Sequence, residues 1–129
     1  MAAPVLLLVE DEAAIQEWLR AELADAGFDL VMVGNGAEAL AALDADAGGL
    51  KAVITDIRLG SGPDGWDVGR RAREHVPDMP VVYVSGDSAD EWASKGVPNS
   101  VMIMKPFVAA QLITVLATLI TDADIHRAD

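Results

Sequence analysis

Five short apolar runs punctuate the chain: residues 5–9 (VLLLV), 30–33 (LVMV), 52–55 (AVIT), 81–84 (VVYV) and 101–104 (VMIM). Each run is continuous rather than alternating, the pattern of a strand covered on both faces and hence of a parallel sheet. The segments between them carry helical spacing. Ile15, Leu19, Leu23 and Ala26 fall at i, i+4, i+8 and i+11, one apolar stripe that stops at Gly27, a natural helix end. Asn35 is placed to cap a second helix carrying Ala39, Leu40 and Leu43. Asp64 is placed to cap a third, which runs toward His75 and cannot pass Pro77. A short polar fourth helix is expected over 88–95, before Gly96, and Val108, Leu112, Val115, Leu116 and Leu119 line a fifth. Strict alternation of strand and helix with short connections predicts an α/β doubly wound sheet of five parallel strands, order 2-1-3-4-5, with five helices on its two faces.

Length and composition narrow this further. A chain of 129 residues fits one domain, 1–129, and buries about two-thirds of its unfolded surface, so the absence of cysteine leaves it no worse off. With 21 acidic residues against 9 basic ones the net charge is −12, which disfavours nucleic acid and anionic membranes and favours cationic partners or a divalent metal. The run 5–9 has no basic segment before it and ends at Glu10-Asp11-Glu12, so it is not a secretory signal. Nothing approaches the roughly 20 apolar residues of a membrane span. The expected location is cytoplasmic.

In a doubly wound sheet the site lies beyond the carboxyl ends of the strands, where the order reverses between the first and third. The first strand ends in Glu10-Asp11, the third in Asp56, the fourth in Ser85 and the fifth in Lys105-Pro106. Three converging carboxylates repel one another and need a proton or a cation. Magnesium suits them, since it takes oxygen ligands and is held by one or two carboxylates plus a phosphate oxygen. Asp56, at the end of an interior strand, is then placed as a nucleophile toward a phosphoryl group. Lys105 as a point charge and Ser85 as a hydroxyl donor would neutralise the phosphoryl oxygens.

On Glu10-Asp11, Asp56, Asp64-Gly65, Ser85 and Lys105-Pro106-Phe107, in order and at strand ends, the chain resembles a receiver domain of a two-component response regulator, of the single-domain, chemotaxis-regulator kind. The resemblance covers essentially the whole chain. It implies the flavodoxin-like form of the sheet and transfer of a phosphoryl group to Asp56 from a histidine kinase or a histidine phosphotransfer protein. It also implies Mg2+ held by Glu10, Asp11, Asp56 and the backbone carbonyl of Arg58, and slow hydrolysis. Such a protein catalyses only its own phosphorylation and dephosphorylation and acts through contact with a downstream protein. The expectation is a stand-alone receiver, with a receiver cut from a longer protein as the alternative. Two features depart from the family pattern. Met102 occupies the place of an aromatic residue three positions before the lysine, and the loop 57–65 is one residue longer than the commonest form, with Gly60 where proline is common.

Further residues take expectations from the same resemblance. Trp18, off the midline of its helical stripe, is expected to be partly exposed and to border the kinase-docking surface. The output and dimer face is the fourth helix, fifth strand and fifth helix, with Trp92, Met102 and an apolar row of Ile113, Ala117 and Ile120. Arg58 and Asp87 carry opposite charges at positions that tune hydrolysis, and are expected to pair across the mouth of the site. The Lys105-Pro106 bond is a candidate for the cis form in a tight turn. His75 and His126 read as surface residues, and Arg70, Arg71 and Arg73 as a solvated face rather than a nucleic-acid site. The rival reading is an aspartate-nucleophile phosphohydrolase of small metabolites, which generally needs a second acid two residues on, where Arg58 stands. A flavin carrier fits less well, because Glu10-Asp11-Glu12 repel phosphate.

Overall fold

A computed structural model describes residues 2–128. Its elements are β1 (Val5–Val9), α1 (Ala13–Asp25), β2 (Asp29–Val33), α2 (Gly36–Asp46), β3 (Ala52–Asp56), α3 (Gly65–His75), β4 (Val81–Ser85), α4 (Trp92–Lys95), β5 (Val101–Met104) and α5 (Ala109–Ala128). The strands are parallel and ordered β2-β1-β3-β4-β5. This is the doubly wound sheet expected from the alternation of strand and helix.

Period-two side-chain alternation divides each inner strand between two cores. Leu6 and Leu8 of β1, Ile54 of β3 and Val82 of β4 pack with Leu19 and Leu23 of α1 and Leu112 and Leu116 of α5. Leu7, Val9, Val53 and Tyr83 face the other way, onto Ala39 and Leu43 of α2 and Trp66, Val68 and Ala72 of α3. Full burial of each such leucine or valine is worth about 1.5–3 kcal/mol, so the two layers supply the main driving force.

The caps fall where the side chains can make them. Asn35 accepts the Glu38 N–H at the start of α2, and Asp64 and Asp67 form a reciprocal capping box at the start of α3. The chain leaves α1 through Gly27 at φ 97°, a left-handed turn that glycine adopts without strain. Among the described residues no helix is long and apolar enough to cross a membrane.

Four details differ from the sequence reading. Burial on both faces holds for β3 and β4, and for β1 apart from half-buried Val5, but the edge strands depart from it: β2 exposes Asp29 and Val31, and β5 exposes Met104. The helices that cover the two faces pack over the centre of the sheet and leave its edge strands partly bare. Ala26 caps α1 and is exposed, so the buried stripe ends at Leu23. Val108 precedes α5 and is exposed. The fourth helix is a single α turn preceded by a 3-10 turn, Ala89–Glu91. Ser88 caps it through no side-chain bond, its hydroxyl being committed elsewhere.

Candidate functional site

Because the strands are parallel, the residues that end β1, β3, β4 and β5 reach the same edge. Glu10 and Asp56 are buried there, Asp11 is exposed, and one carboxylate oxygen from each lies within 4.8 Å of the others. One cation answers them: the Lys105 ammonium donates to Asp56 Oδ2 at 3.0 Å and stands 3.8 Å from Glu10 Oε2. Among the described residues these three carboxylates are the group spaced to hold a metal ion.

One ammonium cannot balance three carboxylates, and the imbalance appears in Glu10. Burial, then the neighbouring charge of Asp56 and a hydrogen bond shared with it, push the Glu10 carboxyl up to about 7. For Lys105, burial works against its charge. The hydrogen bond and charge of Asp56, with Glu10 and Glu12 behind them, outweigh that and hold the ammonium above its ordinary value. The donor set is oxygen-rich, buried and short of positive charge, which fits a hard divalent cation such as magnesium.

A cavity of about 320 Å³ opens over this cluster, lined by Asp11, Glu12, Asp56, Arg58, Ser85, Gly86, Asp87 and Lys105. Ser85 is buried at the end of β4, and its Oγ accepts the backbone N–H groups of Asp87 (3.1 Å) and Ser88 (2.7 Å). With both acceptor positions taken, its own proton is free to be given away. Across the mouth, Arg58 Nε meets Asp87 Oδ2 at 2.9 Å. The hydrogen bond to Arg58, followed by one from Ser88, holds the Asp87 carboxyl below its ordinary range. A larger cavity, of about 590 Å³, lies at the opposite, amino end of the strands and contains none of these groups.

The remaining expected residues are dispersed. Trp18 is 38% exposed and tilts against Phe107 at 5.5 Å, forming with Ile15, Lys105 and Pro106 an apolar groove beside the site. Met102 is half-buried against the α2/α3 core. Trp92 is also partly exposed, and its indole N–H donates to Ser100 Oγ at 2.9 Å. Ile113 and Ile120 are not the free apolar row expected, since both are half-buried against the α1/α5 core and only Ala117 of that row is exposed. The exposed large apolar side chains of α4, β5 and α5 are Trp92, Met104 and Ile125, with Val108 just ahead of α5. The Lys105-Pro106 bond is cis. His75 and His126 are exposed, Arg70 and Arg71 pair with Asp67 and Asp44, and Arg73 donates to the backbone carbonyls of Met79 and Pro98.

Ser88 was missed by sequence reasoning. It is 2% exposed, its N–H holds Ser85 Oγ, and its hydroxyl donates to Asp87 Oδ1 at 2.9 Å. A serine before a short helix reads as a cap, and nothing in the sequence separates that from a bridge between two site residues.

Comparison with known proteins adds an independent line. The pattern of the response regulator receiver domain matches residues 6–117. The C4-dicarboxylate transport transcriptional regulatory protein DctD of Rhizobium meliloti is 33% identical over 114 residues, covering 87% of this chain but 24% of DctD. The chain therefore spans about a quarter of that relative's length. A response regulator receiver protein from Sinorhizobium medicae superposes with a TM-score of 0.90 at 46% identity, covering 94% of this chain and 97% of that one. The receiver domain of a Pseudomonas aeruginosa sensor histidine kinase, with magnesium coordinated in its active site cleft, gives 0.80 at 25% identity, covering 93% and 99%.

Proposed function

Because the chain belongs to the response regulator receiver domain family, we propose that it is a phosphorylation-controlled switch of a two-component system in which Asp56 accepts the phosphoryl group. The observation that carries this is the single ammonium of Lys105, 3.0 Å from Asp56 Oδ2, amid carboxylates within 4.8 Å of one another. In the reaction an Asp56 carboxylate oxygen attacks phosphorus. The P–N bond to a histidine imidazole breaks as the P–O bond forms, and the imidazole takes up a proton on leaving. Lys105 moves from the carboxylate to a phosphoryl oxygen, and the free Ser85 proton serves another. Glu10, Asp11 and Asp56, with the Arg58 carbonyl, are the residues that would hold magnesium. When bound, magnesium supplies the positive charge that this pocket lacks.

The donor is proposed to be a histidine kinase or a histidine phosphotransfer protein, docking on the apolar groove of Trp18 and Phe107 beside the site. Output is proposed to pass through the α4-β5-α5 face to a downstream protein or a second copy of the chain, with Trp92, Met104 and Val108 as the exposed apolar contacts. We place the single domain in the cytoplasm. An aspartate-based phosphohydrolase is disfavoured by Arg58, which stands where that chemistry needs an acid.

Incubation with acetyl phosphate and magnesium followed by intact-mass measurement tests the proposal. Wild-type protein should gain the mass of one phosphoryl group and Asp56→Asn none. Equal labelling of the two would refute it.

A further inference from the structure

Gly36 opens α2 and is buried, yet it belongs to no part of the carboxylate cluster. A Cβ there would lie 2.0 Å from the Pro63 carbonyl oxygen, 2.7 Å from its carbonyl carbon and 2.9 Å from its Cβ. Glycine is required by the closeness of that peptide. Pro63 stands near the end of the loop that leaves Asp56 and carries Arg58 past the site.

The rest of the loop is pinned at its ends and loose between them. Ile57 and Leu59 are buried in the α2/α3 core, the Ile57 N–H donates to the Val84 carbonyl at 3.2 Å, and the Gly65 N–H donates to the Ile57 carbonyl at 2.8 Å. Gly65 sets α3 directly on the strand end, since a Cβ there would meet the Asp56 carbonyl oxygen at 2.2 Å. Gly60 and Gly62 have positive φ, 79° and 92°, and a Cβ at either would find nothing within 4 Å. The middle of the loop therefore has no packing of its own, and it comes to rest where Pro63 meets Gly36.

We infer that Gly36 is a positioning residue: by admitting the Pro63 peptide against α2, it fixes the extra-long loop 57–64 and with it the Arg58 carbonyl and side chain over the site. A side chain at 36 forces the Pro63 carbonyl back by about 1 Å to reach even 3.0 Å. Asp64 is held by the α3 capping box, so the displacement passes back along the glycine-rich span and bears on Leu59, the buried neighbour that seats Arg58. A misplacement of about 1 Å in a positioning group costs up to about a hundredfold in rate. The consequence for metal and phosphoryl group rests on the function proposed above, whereas the seating of the loop does not.

The test uses the full chain, with magnesium titrated by calorimetry and amide exchange followed over 58–62, at a temperature where every variant is folded. Gly36→Ala should exchange severalfold faster over 58–62 and bind magnesium severalfold more weakly. A merely structural role would lower the melting temperature but leave the folded protein's magnesium affinity unmoved. Wild-type exchange and affinity in folded Gly36→Ala would overturn the inference. If Gly36→Ala does not fold, Pro63→Gly alone, which has no clash, should loosen the loop and weaken magnesium binding, and no change in either would overturn it equally. Wild-type protein that binds no magnesium would instead defeat the functional reading, leaving exchange over 58–62 to decide the seating.

Discussion

Replacing Glu10 by glutamine should stabilise the metal-free protein, and the gain should grow with pH. Glu10 is 3% exposed, shares its pocket with Asp56, and titrates near 7 in the folded state against 4.5 for an unperturbed glutamate. A carboxyl whose folded value is raised keeps its proton longer when folded than when unfolded. Between 4.5 and about 7 the folded state thus binds more protons, and stability falls as pH rises through that window. At about 1.36 kcal/mol per unit, the whole window amounts to about 3 kcal/mol, a sizeable part of the 5–15 kcal/mol typical of a domain. Below the window both states are protonated and the contribution is intact, and above it the loss is complete. The carboxyls of Asp44, Asp67, Asp78 and Asp87 are held below their ordinary value by their partners, so their own contributions are lost at more acid pH than this window. Urea unfolding of wild type and Glu10→Gln in EDTA, at steps from pH 4 to pH 8, measures the difference directly. The two should converge at the acid end, with the variant ahead by up to about 3 kcal/mol at the alkaline end. Saturating magnesium should restore the wild type more than the variant, because it binds the ionised carboxyl. A difference that stays flat with pH would show that Glu10 is not the group strained by the site.

Two further outcomes follow from the loops over the site. If the Arg58–Asp87 pair shields the phosphoryl group from an attacking water, Arg58→Ala and Asp87→Ala should each shorten its half-life severalfold and the double variant little more; unchanged half-lives in both single variants would remove the shield. With Met102 in place of a ring, a flexible thioether that locks into no single slot, beryllofluoride should change amide exchange most over 86–96, and a change confined to 101–104 would contradict this.

The fold was legible because burial of the central strands is almost one-dimensional. A five-residue run such as Leu6-Leu7-Leu8-Val9 behind Val5 has to be covered on both sides, and short connections leave the doubly wound order as the solution. Legibility failed at the margins, where neighbours rather than the residue itself decide exposure. Val31 sits in an apolar run but on an edge, and Val108 fits the α5 period but precedes its first turn. Ile113 and Ile120 looked surplus to one buried stripe because a sequence does not tell how wide a groove a helix lies in. The charged residues of the site were readable as soon as each was assigned to a strand end. Ser88 and Gly36 were not, since one acts through a hydrogen bond to its neighbour and the other through the absence of a side chain.

The resting arrangement also says where a switch would have to work. Lys105 is held by Asp56, while Ser85 is held by the backbone of the loop that follows it, through Asp87 and Ser88. A phosphoryl group on Asp56 competes for Lys105 with the pair already formed. It draws the free Ser85 proton, and any movement of that hydroxyl pulls on the two N–H groups it accepts. Asp87 is at the same time tied to Ser88 and to Arg58, so any shift of this loop is felt on the far side of the cavity mouth. The loop leads directly into a helix of one α turn, whose Trp92 is fastened to Ser100 just ahead of β5. A helix that short carries little intrinsic stability to resist being moved. On the proposed function the expected path from Asp56 therefore runs through Ser85 and Ser88 into α4, and reaches β5 from its amino end through Trp92 and Ser100 rather than through Met102.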